Sequence, residues 1–410
     1  MASPFRPGVL GLAVVLSLGA CAEDVCDAER MPTCDIRQEG CQQTVVDMVA
    51  CLRGDTVTET PPVTVISPEE LEARLRGGAD PMMMETLQLE GALHQLGMLD
   101  ADASLFEAAV ADRVAGTRAF FSSTENAVYV VDRGEPADSV EVVGTLLHEM
   151  VHAVQHQEHD LFALAAEAET HEALLRARLA VEGEATFYQL EALAWSEGHR
   201  ADEIDWDAYF DGWVARTQSE LDEGGSPFFV VYRRFPYVLG ARHAAGRWVV
   251  GGDEAVRALP ATPPEASLAF LRDPWSGHPP LPRRLRTSPC DAPPPPPAGY
   301  DRALREEMGA PFLYAFLRAG RRLSHLEARS HADRWQRDEL FVYGGPDGRV
   351  AVAWRIFTED EDTARALEAD VLERGFRAAA ALGTVTLVAT PPGEATGWSW
   401  DAPSPECALP

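Results

Sequence analysis

Lysine is missing altogether from the 410 residues: all 35 basic side chains are arginine. Without a lysine there is no Walker-type phosphate loop and no amine for a Schiff base with a carbonyl substrate. No G-x-S-x-G, C-x-x-C or G-x-G-x-x-G segment occurs either, which removes the nucleophile elbow, the thioredoxin-like dithiol and the dinucleotide fingerprint. Positive charge is scarce. The 65 acidic residues against 35 basic ones leave a net charge of −30, a field that repels phosphate backbones and anionic lipid surfaces, so nucleic acid is not an expected partner. Apolar runs of the roughly 18 residues needed for a membrane span are also absent. What is present, 46% hydrophobic and 24% charged residues, is the composition of a folded protein of two or three usual domains.

The first residues read as an address. Arg6 precedes an apolar run from Val9 to Leu18, too short to cross a bilayer and of the length of a signal-peptide core. Leu18-Gly19-Ala20-Cys21 follows and resembles the lipobox of bacterial lipoproteins, which implies a lipid on Cys21 and an exported chain held in the cell envelope, at the outer membrane, through that anchor only. An ordinary secretory signal is the alternative, and it exports the chain as well. Export favours oxidised cysteines. Six remain: Cys26, Cys34, Cys41 and Cys51 near the start, and Cys290 and Cys407 far downstream. The first four lack the close C-x2-C pairs of structural zinc, so they are expected to form two local disulfides of unread connectivity, leaving Cys290 and Cys407 for each other.

The hydrophobic pattern divides the chain into a signal segment 1–20, a cysteine-bearing segment 21–62, a main domain 63–274, a proline-rich connector 275–298 and a C-terminal α/β segment 299–410. Ser67, Pro68 and Glu70 mark a capped helix start. Helical periods are expected at Glu85 to Leu96, Leu105 to Val114, Val140 to Glu158, Glu167 to Glu191 and Tyr300 to Gly320. A period of two predicts strands at Thr117 to Phe121, Ala127 to Val131, Leu340 to Val342, Val350 to Phe357 and Val385 to Ala389. His94, the Met82-Met83-Met84 run, Arg233 and Arg234 are read as packing or solvated surface.

The segment His148-Glu149-Met150-Val151-His152 carries the strongest chemical signal. On a helix, positions i and i+4 share a face, so both imidazoles reach one Zn²⁺ while Glu149 stands beside the water such an ion activates. The apolar flanks Leu146-Leu147 and Met150-Val151 suit a buried helix. His156 lies a further turn along, too far for the same ion at about 1.5 Å of rise per residue. Gln155 stands where a metzincin needs glycine.

Val181-Glu182-Gly183-Glu184-Ala185-Thr186 resembles the N-E-G-x-A-[ST] segment of the gluzincins of the aminopeptidase N branch. The resemblance implies that Glu182 is the third metal ligand, with Glu184 as the rival. Pro236-Tyr237-Val238-Leu239-Gly240 resembles the P-Y-x-x-G helix of the same branch, which implies that the Tyr237 hydroxyl stabilises an oxyanion. Together these segments are similar to a group of gluzincin-like bacterial proteins, myxobacterial lipoproteins among them, with H-E-L-x-H-A-L-Q-x-Q, V-E-G-[DE]-A and F-P-Y-x-x-G. The similarity runs from about Val114 to Phe376, with Trp335 to Phe357 matching a W-x-x-D strand unit. His156 replaces that group's aspartate, whose role is not carried over. The expectation is a mainly helical α+β, zincin-like metallopeptidase fold with one Zn²⁺, a peptide or protein substrate, Glu149 and Tyr237 as catalytic residues, and His148, His152 and Glu182 as metal ligands. The rival is a catalytically inactive scaffold that binds a partner during envelope assembly.

Overall fold

The structure is a computed structural model and describes residues 32–54, 57, 59–77, 89–272, 274, 293–319, 323–391 and 398. The signal segment, Cys21, Cys26, the Met82 to Met84 run, most of the proline-rich connector, Cys290 and Cys407 lie outside these residues. The chain is a mainly helical α+β protein with two small sheets. Among the described residues no helix is long and apolar enough to cross a membrane.

The cysteine-bearing segment forms a helix, α1 (Glu39–Arg53), which has no counterpart among the expected elements. Cys34 and Cys41 form a disulfide across its start. Cys51, in its last turn, is also disulfide-bonded. The first sheet has the order β1-β3-β2, with β1 (Val63–Ile66) parallel and β2 (Ala119–Ser122) antiparallel to the central β3 (Ala127–Val131). Period-two alternation assigns the two faces of β3. Val128 and Val130 enter the main core, whereas Ala127, Tyr129 and Val131 pack with Ile66 and Leu71 under α2 (Pro68–Arg76). That helix starts in a full capping box, Ser67 with Glu70, and carries Pro68 in its first turn.

Helices α3 (Glu90–Leu96) and α4 (Leu105–Gly116) precede β2. After β3 come α5 (Val140–His159), capped by Ser139, the short α6 (Leu161–Ala166), the long α7 (His171–Ser196), capped by Thr170, and α8 (Trp206–Asp222). A π-helical turn, Val230–Arg234, leads into α9 (Phe235–Arg257), with Pro236 in the first turn where its missing N–H costs nothing. The crossing of α7 and α9 is set by two glycines. A Cβ on Gly183 would lie 2.5 Å from the Gly240 carbonyl carbon, and one on Gly240 would lie 2.3 Å from the Leu179 carbonyl oxygen. The two backbones therefore touch, and any side chain at either position forces them apart.

The second sheet is antiparallel throughout, in the order β4-β5-β6-β8-β7. It is built from β4 (Asp301–Glu306), β5 (Trp335–Gly344), β6 (Val350–Thr358), β7 (Arg377–Ala381) and β8 (Thr384–Ala389). Helices α10 (Ala310–Arg318), α11 (His325–Asp333) and α12 (Glu361–Glu373) flank it. The helical pattern expected near Tyr300 to Gly320 holds only in its second part, α10; its first part is the strand β4. Asp301 to Glu306 contains good helix formers, but pairing with β5 outweighs a weak local preference. Gly299 and Gly309, at φ 83° and 96°, break the chain on either side.

Buried Asp338 accepts from the Met308 and Gly309 N–H groups (2.8 and 2.7 Å) and from the indoles of Trp335 and Trp354 (2.9 and 3.0 Å). It thereby fixes the turn between β4 and α10. One cluster of buried apolar side chains contains Val45, Leu146, Phe187, Phe312 and Trp354, so residues before and after the connector share a core.

Gly240→Ala is expected to lower stability by about 1–3 kcal/mol through overpacking at the α7–α9 contact. The urea midpoint measures it, and an unchanged midpoint would mean that the crossing is not constrained by this contact.

Candidate metal centre

Three elements converge on one point. α5 carries His148, Glu149 and His152 on its buried face, α7 carries Glu182, and α9 carries Tyr237. The glycine contact explains how the last two meet, since Gly183 follows Glu182 and Gly240 lies one helical turn after Tyr237. The Nε2 atoms of His148 and His152 are 3.0 Å apart, and Glu182 Oε2 lies 3.3 Å from the first and 3.2 Å from the second. A tetrahedral Zn²⁺ with bonds of about 2.0–2.1 Å has donor–donor edges of about 3.3 Å. Among the described residues this is the one group of three or more ligand-type side chains close enough to share an ion.

Hydrogen bonding decides what the donors can hold. Gln155, fully buried, donates its amide to the Val181 carbonyl (3.0 Å) and to Glu184 Oε2 (2.8 Å), so its Oε1 must accept the Nδ1 proton of His152 (2.8 Å). A neutral His152 then points the lone pair of Nε2 at a carboxylate oxygen and a second imidazole nitrogen. His148 Nε2, His152 Nε2 and Glu182 Oε2 face one another closely enough to share one cation. The donor set, two imidazoles and one carboxylate, suits zinc.

In the metal-free protein a proton fills that role. Burial lowers the pKa of His152, but the charge and hydrogen bond of Glu182 outweigh it and raise the value to about 9. Burial likewise works against ionised Glu182, yet His152 and His148 hold its carboxyl well below the usual range.

Glu149 is buried, and its Oε2 accepts the Phe121 N–H at 2.8 Å from the edge strand β2. Burial raises its pKa, with partial relief from the two histidines, which favours a carboxylate that takes up a proton. The Tyr237 ring stacks on His148 with centroids 5.8 Å apart. Burial raises the pKa of its hydroxyl, and Glu182 and Glu149 add to the effect, so it stays a donor. Arg178, one turn before Glu182, lies over the Tyr232 ring and 4.0 Å from Glu182 Oε1.

Glu184, the rival ligand, is turned away: it is paired with Arg53 and Gln155. His156 Nδ1 accepts the Leu161 N–H at the end of α5 and takes no part. Arg233 is ion-paired with Asp112, and Arg234 with Glu220. Sequence reasoning missed Arg53, whose partner lies 131 residues away, and the Phe121 N–H, because a backbone donor carries no side-chain signal. No family model, curated protein or solved structure matches this chain.

A pH dependence follows for the metal-free protein. The raised pKa of His152 stabilises the fold fully below its unfolded value of about 6.5, and that contribution is lost as pH rises through about 9. Thermal stability without metal should therefore fall between those limits, by on the order of 3 kcal/mol, and a bound ion should abolish the effect by displacing the proton. A flat profile without metal would contradict the pairing of His152 with Glu182.

Proposed function

We propose that this chain is a zinc-dependent hydrolase of peptide bonds with a gluzincin-like, zincin-type catalytic domain. The observation that carries this reading is the convergence of His148, His152 and Glu182 with the buried carboxylate of Glu149 and with Tyr237, whose ring stacks on His148. The resemblance of the three motifs to the gluzincin-like lipoproteins supports it. The segment from Arg6 to Cys21 supports export and a lipid anchor in the bacterial cell envelope. β2 is one of the two edge strands of its sheet and its edge reaches Glu149, so an extended peptide can pair beside the catalytic carboxylate. That favours a peptide substrate.

Bound Zn²⁺ supplies a Lewis acid that polarises a carbonyl and makes water more acidic. The protein's own groups do the rest. Glu149, with Oε2 tethered by Phe121, takes the proton of the attacking water on its other oxygen and passes it to the departing amine. Tyr237 donates a hydrogen bond to the oxygen that gains charge as the carbonyl becomes tetrahedral. Gln155 keeps the Nδ1 proton of His152 in place, so the lone pair of Nε2 stays directed at the ion.

The test uses Glu149→Gln and Tyr237→Phe in the purified protein with a peptide library. Both variants should keep their zinc and thermal stability. Cleavage should fall by at least about 10²-fold in Glu149→Gln and by roughly 10²- to 10³-fold in Tyr237→Phe. A wild type that cleaves nothing, together with a Glu149→Gln variant that complements a deletion strain fully, would overturn the hydrolase reading in favour of a binding scaffold.

A further inference from the structure

Arg53 ends α1, and its side chain is completely buried. Taking a guanidinium out of water is costly unless every face is paired, and here the fork is divided between two carboxylates. Nε donates to Glu184 Oε1 at 2.9 Å, and Nη1 and Nη2 reach the carboxylate of Glu158 at 3.2 and 2.7 Å. The second oxygen of Glu184 accepts from Gln155, and Gln155 accepts from His152 Nδ1. A continuous hydrogen-bonded line therefore runs from the disulfide-pinned N-terminal helix to a nitrogen of the metal-binding ring.

We propose that Arg53 is a positioning residue for the metal centre, acting through Glu184 and Gln155 to hold His152 in the tautomer that binds an ion. The reasoning turns on the two orientations of a glutamine amide. As found, the NH2 of Gln155 meets two acceptors, the Val181 carbonyl and the Glu184 carboxylate, and its oxygen meets an N–H. Flipped, its oxygen would face both acceptors, and its NH2 would drive the His152 proton from Nδ1 to Nε2, where it blocks the ion. Glu184 holds the amide only if its own carboxyl is fixed, and Arg53 fixes it by donating Nε to Oε1, which leaves Oε2 facing the Gln155 NH2. Arg53 is itself fixed, because the disulfide at Cys51 lies two residues earlier and the Cys34–Cys41 disulfide closes the other end of α1.

This inference rests on the metal reading of the site, and the experiment separates the two. Arg53→Lys keeps the charge but cannot fork to both carboxylates. Gln155→Met breaks the line at its middle while leaving the ion pair intact. Zinc affinity, measured by competition with a chromogenic chelator, should fall roughly 10- to 100-fold in each. In the double variant it should fall no further than in Gln155→Met alone, because Arg53 acts through Gln155. A folded Arg53→Lys protein with wild-type zinc affinity, or losses that add in full, would overturn the proposal.

A second readout needs no metal. The Nδ1 proton of His152 should give a protected downfield NMR resonance in metal-free wild type and exchange rapidly with solvent in Arg53→Lys. Should wild type bind no zinc, the metal reading falls, and this resonance alone decides whether Arg53 orients the ring: loss in the variant supports it, persistence refutes it.

Discussion

Two helix backbones meet without a side chain between them where Gly183 of α7 touches Gly240 of α9, and the site depends on that contact. Glu182 and Tyr237 sit beside these glycines on separate helices, more than fifty positions apart in the chain. At an ordinary interaxial distance of about 8–10 Å the two helices would hold them further apart. Contact of the backbones brings the carboxylate and the phenol to the same face of α5, against His148 and His152. The glycines thus act on the chemistry through geometry alone.

Behind the donors lies a layer of buried polar groups whose value is orientation rather than stability. A buried ion pair such as Arg53 with Glu184 gains in Coulomb energy roughly what it loses in desolvation. An apolar pair of the same volume would support the fold as well. What an apolar pair lacks is direction. Glu184 fixes Gln155, Gln155 fixes the proton on His152 Nδ1, and Nε2 is left facing Glu182. Asp338 plays a comparable part in the C-terminal sheet, where four N–H donors surround one carboxylate and the turn entering α10 becomes fixed.

Much of this was legible in the sequence, for reasons that are local. The i, i+4 spacing of His148 and His152 placed both rings on one helix face, and Ser67 with Glu70 marked a helix start that exists as a capping box. The alternation in Ala127 to Val131 identified the central strand of the first sheet. What could not be read was non-local. β4 contains helix-favouring residues and is a strand because β5 offers it a partner. α1 was hidden in a cysteine-bearing segment, and Arg53 finds its partners on α5 and α7 only after the chain has folded. The choice between Glu182 and Glu184 was open in the sequence because both lie on α7, two positions apart. In the structure one meets the histidines and the other meets Arg53.

The central claim is that two imidazoles and one carboxylate hold a zinc ion. X-ray absorption at the zinc edge on purified protein tests it directly. The account predicts about one zinc per chain, bound by nitrogen and oxygen donors without sulfur, and loss of that signal in both His148→Ala and Glu182→Ala. Sulfur in the coordination shell, or zinc retained unchanged in Glu182→Ala, would contradict it.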